Sequence, residues 1–182
     1  MSLVIPRAPE RLVLPIERFW DGAACPDARL HGRVELSARE DGLELTASLP
    51  HQREPRIPAA PRGARVADLW EYDVVECFLA GEGGRYLEIE LGAAGHFLVL
   101  SFRARRVRAS ACEELPPRTA HGRTPGGWWA TLRLPRALLP PGLRAGNAFA
   151  IAGGELLAHH PVPGAVPDFH QPGAWPALRL GS

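Results

Sequence analysis

A chain of 182 residues is long enough for one substantial core and short for two, so residues 1–182 read as a single domain. The formal charge of +1 and an ordinary apolar share fit a globular protein and give no basic footprint for nucleic acid. All 21 residues in the Lys+Arg count are arginine, which excludes Schiff-base chemistry on lysine and a lysine-bearing phosphate loop.

Leu12 to Ile16 predicts a first short strand, and Pro15 confines it to an edge because proline cannot donate to a ladder. Arg33 to Ala38 and Gly42 to Leu49 alternate apolar with polar around a Glu-Asp-Gly turn, the pattern of a hairpin. The stretch from His51 to Arg65, rich in proline and arginine, reads as an exposed loop. Val74 to Leu79 is a central strand, and Gly81 to Gly84 turns it into Arg85 to Leu91, where Leu87, Ile89 and Leu91 form a core face and Tyr86, Glu88 and Glu90 a polar one. His96 to Phe102 is expected to be buried on both faces, which makes these segments a meander. Arg103 to Cys112 extends that strand or pairs as another, and a proline-rich linker runs on to Gly127. The cluster Arg103, Arg105, Arg106 and Arg108 reads as a solvated strand edge. Trp128 to Pro135 is a strand with Trp128, Ala130, Leu132 and Leu134 inward, followed by one helical turn at Pro135 to Leu139. Asn147 to Ala152, Glu155 to His159 and Ala177 to Leu180 supply the remaining strands. Many short alternating strands without an amphipathic helix predict an all-β, antiparallel β-sandwich.

Cys25, Cys77 and Cys112 are odd in number and without metal-like spacing, which excludes a complete disulfide framework and favours a reducing compartment. Pro6, Arg7, Pro9, Glu10 and Arg11 break the N-terminal segment, and no apolar run reaches membrane-spanning length. A cytoplasmic protein away from membranes is expected.

The stretch Asp68 to Leu79, DLWEYDVVECFL, carries the most chemistry. Glu76 is the only charge inside its strand, and a lone carboxylate there is costly to bury unless it faces a concavity or meets a partner such as an arginine. A plain surface glutamate on a half-exposed strand is the competing reading.

The blocks LWEYDVVECFL, YLEIEL, GWWATLRLP and DFHQPGAWPAL, in that order from about Arg33 to the C-terminus, resemble the family 9 carbohydrate-binding modules, within the wider group of DOMON-like domains. The resemblance implies a jelly-roll type sandwich of two antiparallel sheets that clasps a sugar between aromatic rings and grips its hydroxyls with polar side chains. On this sequence it points to Trp70 and Trp175 as the aromatic pair, Glu76 and Glu88 as acids, His170 and Gln171 as neutral partners and Arg65 as a charged one. That choice suits sugars, which combine an apolar C–H face with a rim of hydroxyls. Trp128 belongs to a fold signature and is expected in the core. The acids form no recognisable calcium loop, so neither a metal nor another cofactor is expected.

A non-catalytic module for carbohydrate or a small polar ligand is therefore the expectation, with no enzyme activity. Three other classes stay open. Glu76, Glu88 and Glu90 could supply the paired carboxylates of a glycoside hydrolase, and His159, His160, Asp168 and His170 a hydrolytic metal site. A DOMON-type haem site would need two histidines, His96 with His159, His160 or His170, because lysine is absent and Met1 is the only methionine. A protein-interaction module would bury Trp70 and Trp175.

Overall fold

The computed structural model describes residues 2–50, 54–112 and 119–181. The first part of the expected 51–65 loop, residues 51–53, and residues 113–118 of the expected linker lie outside the described residues. The strands are β1 (Leu3–Ile5), β2 (Leu12–Ile16), β3 (Arg18–Phe19), β4 (Gly32–Arg39), β5 (Gly42–Pro50), β6 (Val74–Ala80), β7 (Tyr86–Gly92), β8 (Phe97–Ala104), β9 (Val107–Ser110), β10 (Thr119–Thr124), β11 (Gly127–Pro135), β12 (Ala145–Ala152), β13 (Glu155–Ala158) and β14 (Leu178–Leu180). The only helical elements among the described residues are single 3-10 turns, one of them at Arg136–Leu138 where a turn was expected.

Two antiparallel sheets pack face to face. One has the order β10-β11-β5-β4-β2, the other β3-β13-β12-β6-β7-β8-β9. The period of two along each strand decides the packing. In β11, Trp128, Ala130, Leu132 and Leu134 lie opposite Leu49, Ala47, Leu45 and Leu43 of β5, and all eight are buried. They meet Val75, Cys77 and Leu79 of β6 and Leu87, Ile89 and Leu91 of β7 in one core cluster. Trp128 is core, as its position in the alternating block predicts. Pro15 sits in β2 at the sheet edge, where no neighbour needs its missing N–H. Gly42 closes the β4–β5 hairpin at φ +159°, and a Cβ there would collide with the Leu134 carbonyl, so the turn requires glycine.

Three expectations need correction, while the 103–112 segment takes the second of its two expected forms and pairs as a strand of its own. Leu3–Ile5 is a strand after all: it pairs in parallel with β14, so the C-terminus returns to the N-terminus and touches the seven-stranded sheet through one bridge, Ala145 with Ala177. Thr119–Thr124, inside the expected linker, is β10, paired along β11 from Thr119↔Leu132 to Thr124↔Gly127. It is an edge strand with no buried residue, so it has no apolar alternation to betray it. β9 forms a short hairpin with β8 through Arg105 and Arg106. The supposed polar face of β7 is fully buried.

That last point reshapes the molecule. On the outer face of the seven-stranded sheet, Val74, Phe78, Tyr86, Leu98, Leu100, Phe102 and Phe149 form a second buried cluster. The segment 159–177 crosses over this face and supplies Val162 and Trp175 to the cluster. The sandwich thus has a third layer, made of irregular chain.

Candidate functional site

The register of β6 and β7 brings three carboxyls together. Glu76 lies directly opposite Glu90, and Glu88 sits two pairs further along, opposite Phe78 and on the same face. All three point to the outer face, where directly opposed Cβ atoms stand about 5 Å apart. They are 2%, 4% and 0% exposed for Glu76, Glu88 and Glu90, so solvent does not screen them. Burial drives the carboxyl of Glu76 well above its ordinary pKa, and the charge of Glu88 adds to the effect. Glu90 is raised well above its ordinary value by burial first, then by repulsion from Glu76, Glu88 and Asp68. Glu88 is pushed up to about 7 by burial, against the opposing pull of Arg108 and Arg106. Both Glu90 oxygens are buried without a hydrogen-bond partner.

Above Glu76 and Glu88 lies a cavity of about 480 Å³. Trp70, Phe102 and Phe169 bring aromatic surface to its wall, Leu100, Ile151, Leu156 and Pro167 bring aliphatic surface, and His170, Arg106 and Arg108 complete it. Trp70 is half-buried and stands in the 3-10 turn Leu69–Glu71, anchored by the fully buried Leu69 beside it. Arg106 occupies a left-handed conformation at φ +57° in the β8–β9 turn. Its N–H donates to Tyr86 Oη at 2.9 Å, and its guanidinium donates to Asp168 Oδ1 at 2.7 Å while Arg105 donates to Oδ2 at 2.6 Å. These bonds tie the 159–177 segment to the hairpin.

His170 sits between Tyr86 and Glu88. Tyr86 Oη lies 2.8 Å from His170 Nδ1, and His170 Nε2 lies 3.8 Å from Glu88 Oε1. Burial and the nearby Arg106 push the imidazole down to about 4, so it is neutral at pH 7. With the Tyr86 hydroxyl donating to Nδ1, the ring proton stands on Nε2, facing Glu88.

Four of the seven residues expected at the site line the cavity together: Trp70, Glu76, Glu88 and His170. Three do not. Trp175 is 6% exposed, its ring 5.1 Å from that of Phe78, and its indole N–H donates to Phe169 O at 3.2 Å. It is a plug under the covering segment, which explains its apolar company. The Gln171 amide donates to Pro163 O at 2.7 Å and Asp168 O at 2.9 Å, which shapes that segment from within. Arg65 bridges to Phe97 and donates to Ala111 O at 2.9 Å. Trp175 is thus not on the cavity wall, whose aromatic surface comes from Trp70, Phe102 and Phe169. Phe102 and Arg108 had a signal in their alternation with the β8 and β9 residues; Phe169 had none, since it depends on where an irregular segment lies.

The histidines weighed for haem are engaged separately: His96 Nε2 with Ala60 O at 3.1 Å, His159 Nδ1 with Pro15 O at 2.9 Å, and His170 with Tyr86. Among the described residues no three His, Cys, Asp or Glu side chains group closely enough to hold a metal ion. None of the three cysteines is disulfide-bonded. Among the described residues no helix is long and apolar enough to cross a membrane.

Fold and site together define an antiparallel β-sandwich with a covered acidic and aromatic pocket on the outer face of one sheet. The chain belongs to the UPF0462 family: it is 34% identical over 167 residues to the UPF0462 protein C4orf33 homolog of Mus musculus, covering 86% of this chain and 85% of that one. It is 32% identical over 166 residues to UPF0462 protein C4orf33 of Homo sapiens (85% and 81% covered) and 30% over 167 to the Danio rerio homolog (86% and 83%). No family model matches the chain. In three dimensions it resembles a Bacteroides uniformis protein described as a candidate carbohydrate-binding protein, with a TM-score of 0.72 over 99% of both chains at 16% identity. That likeness establishes the all-β fold.

Proposed function

We propose that this protein binds a carbohydrate, or a small polar ligand of like chemistry, in the cavity above Glu76 and Glu88, without catalysing a reaction on it. The observation that carries the reading is the composition of the wall: flat rings of Trp70 and Phe169 beside buried carboxyls and a neutral imidazole. Rings pack on the C–H face of a sugar, and a protonated carboxyl both donates to and accepts from hydroxyls. The cavity volume of about 480 Å³ lies in the range of small-molecule sites. Burial favours the protonated, hydroxyl-donating form of Glu76 and Glu90, while Glu88, raised to about 7, is partly ionised at neutral pH. The Bacteroides likeness and the resemblance to family 9 and DOMON-like modules support the same reading.

The test is a titration of tryptophan fluorescence with mono- and oligosaccharides. A saturable change is expected, weakened at least about tenfold in Trp70→Ala by the loss of one ring contact. Trp70→Ala should keep its circular dichroism and cooperative melt, because the ring is half-buried on a turn. No response to any sugar in the wild type, or unfolding of the variant, sinks the assignment.

A further inference from the structure

We propose that the ligand of this pocket carries an ammonium group, as an amino sugar does, and that Glu76 and Glu88, which line the cavity, receive it, with Glu90 adding its charge from its place opposite Glu76. This rests on the carbohydrate reading above and names the chemistry of the sugar. Among the described residues, no cation stands within hydrogen-bond reach of the three carboxyls on this face of the two paired strands. Arg106 spends its guanidinium on Asp168, Arg108 is solvent-exposed, and neither forms an ion pair with the three glutamates. Asp68 adds to the negative field around Glu90, and His170 faces Glu88 as a neutral ring. A buried carboxyl without a partner is costly, and both oxygens of Glu90 are orphaned. A group that supplies positive charge and several donors removes that cost, and an ammonium has three donors. The walls fit as well, since Trp70, Phe102 and Phe169 present ring faces on which a cation is stabilised. A metal ion does not fit, because the side chains are not drawn together as short metal–oxygen contacts demand.

Calorimetry on the full chain tests the idea with glucose, glucosamine, glucuronate and ethanolamine. Glucosamine should bind roughly tenfold tighter than glucose, the ratio that one modest charge interaction yields. Its binding should release protons, read as a dependence of the heat on buffer ionisation enthalpy, and should tighten from about pH 5.5 to about pH 7 as Glu88 ionises. Glu76→Gln, Glu88→Gln and Glu90→Gln keep the shape of the side chains and should bring the ratio towards one. Equal binding of glucose and glucosamine overturns the ammonium inference and leaves the carbohydrate reading standing. Tighter binding of glucuronate overturns it too and transfers recognition to Arg108. Binding of ethanolamine with no response to any sugar upholds the cation and overturns the carbohydrate reading. Silence from all four overturns both.

Discussion

Glu88 and His170 face each other with pKa values displaced in opposite directions, and their effects on stability have opposite signs. The folded-state pKa of Glu88, about 7, exceeds that of the unfolded chain, so its protonated form stabilises at low pH and the contribution is lost as pH rises to 7. The shift corresponds to about 3 kcal/mol. His170, depressed to about 4, does the reverse: its contribution is present above the unfolded histidine value and is lost as pH falls towards 4. Above about pH 6.5 the unfolded-state histidine and glutamates have titrated, while native Glu88, at about 7, is still losing its proton. The melting temperature should therefore fall from about pH 6.5 to about pH 8, and Glu88→Gln should flatten that slope. A flat wild-type profile would show that the carboxyls are better solvated than their burial implies. The tryptophans divide at the same scale. Trp175→Ala should destabilise by about 3–5 kcal/mol in chemical denaturation, as loss of a buried large ring does, whereas Trp70→Ala should cost ligand affinity. Cys77 belongs with the core: burial pushes its thiol up to about 12, so it should resist alkylation in the native state.

Among the elements, the segment 159–177 decides whether there is a pocket at all. It has little regular structure and is held by side chains. Asn147, the one asparagine of the chain and fully buried, donates to His160 O at 2.9 Å and accepts from His160 N–H at 3.1 Å. Asp168 accepts from Arg105, Arg106 and the His170 N–H, and this pulls its pKa below the ordinary value despite partial burial. Phe169 stacks on Phe149 with ring centroids 4.1 Å apart. Asp168→Ala should loosen the outer part of the segment: faster amide exchange around Phe169 and His170, and weaker ligand binding, with β6 and β7 protection unchanged. Uniform exchange across the whole sheet in that variant would mean the segment is part of the cooperative core. Asn147→Ala should cost about 1–3 kcal/mol, because it removes the partner of the buried Ala148 N–H and of both His160 backbone groups.

At the scale of the whole molecule, stability comes from the inter-sheet core, and the proposed ligand cavity lies on the opposite face of one of its sheets. Trp128 anchors the former, and Trp128→Ala should cost about 3–5 kcal/mol without a specific effect on the ligand once the protein is folded. The two faces are linked through mass action. A ligand at about 100 times its dissociation constant adds about 2.7 kcal/mol, so a thermal-shift screen should rank the sugars in the same order as the fluorescence titration. β6 stands at the centre, with Val75, Cys77 and Leu79 in the core and Glu76 and Phe78 under the covering segment. The distribution of apolar residues follows from that double burial.

Local pattern was enough for the sandwich, the β4–β5 hairpin, the edge position of Pro15, the inward Trp128 and the importance of Glu76, because period-two alternation and proline chemistry act within a few residues. Trp70, Glu88 and His170 are singled out by the resemblance to family 9 modules, and the structure places all three on one cavity wall. Local pattern could not reveal β10, whose pairing rests on backbone bonds along β11, or β1, which gains a partner only when the C-terminus returns. Nor could it separate Trp70 from Trp175, since both are tryptophans in loops and only the path of the 159–177 segment buries one and leaves the other at the cavity. The same path converted the polar face of β7 into a floor. Alternation says which side chains share a face, but whether that face meets water or another layer is decided by contacts between residues far apart in the chain, and only the tertiary structure contains those.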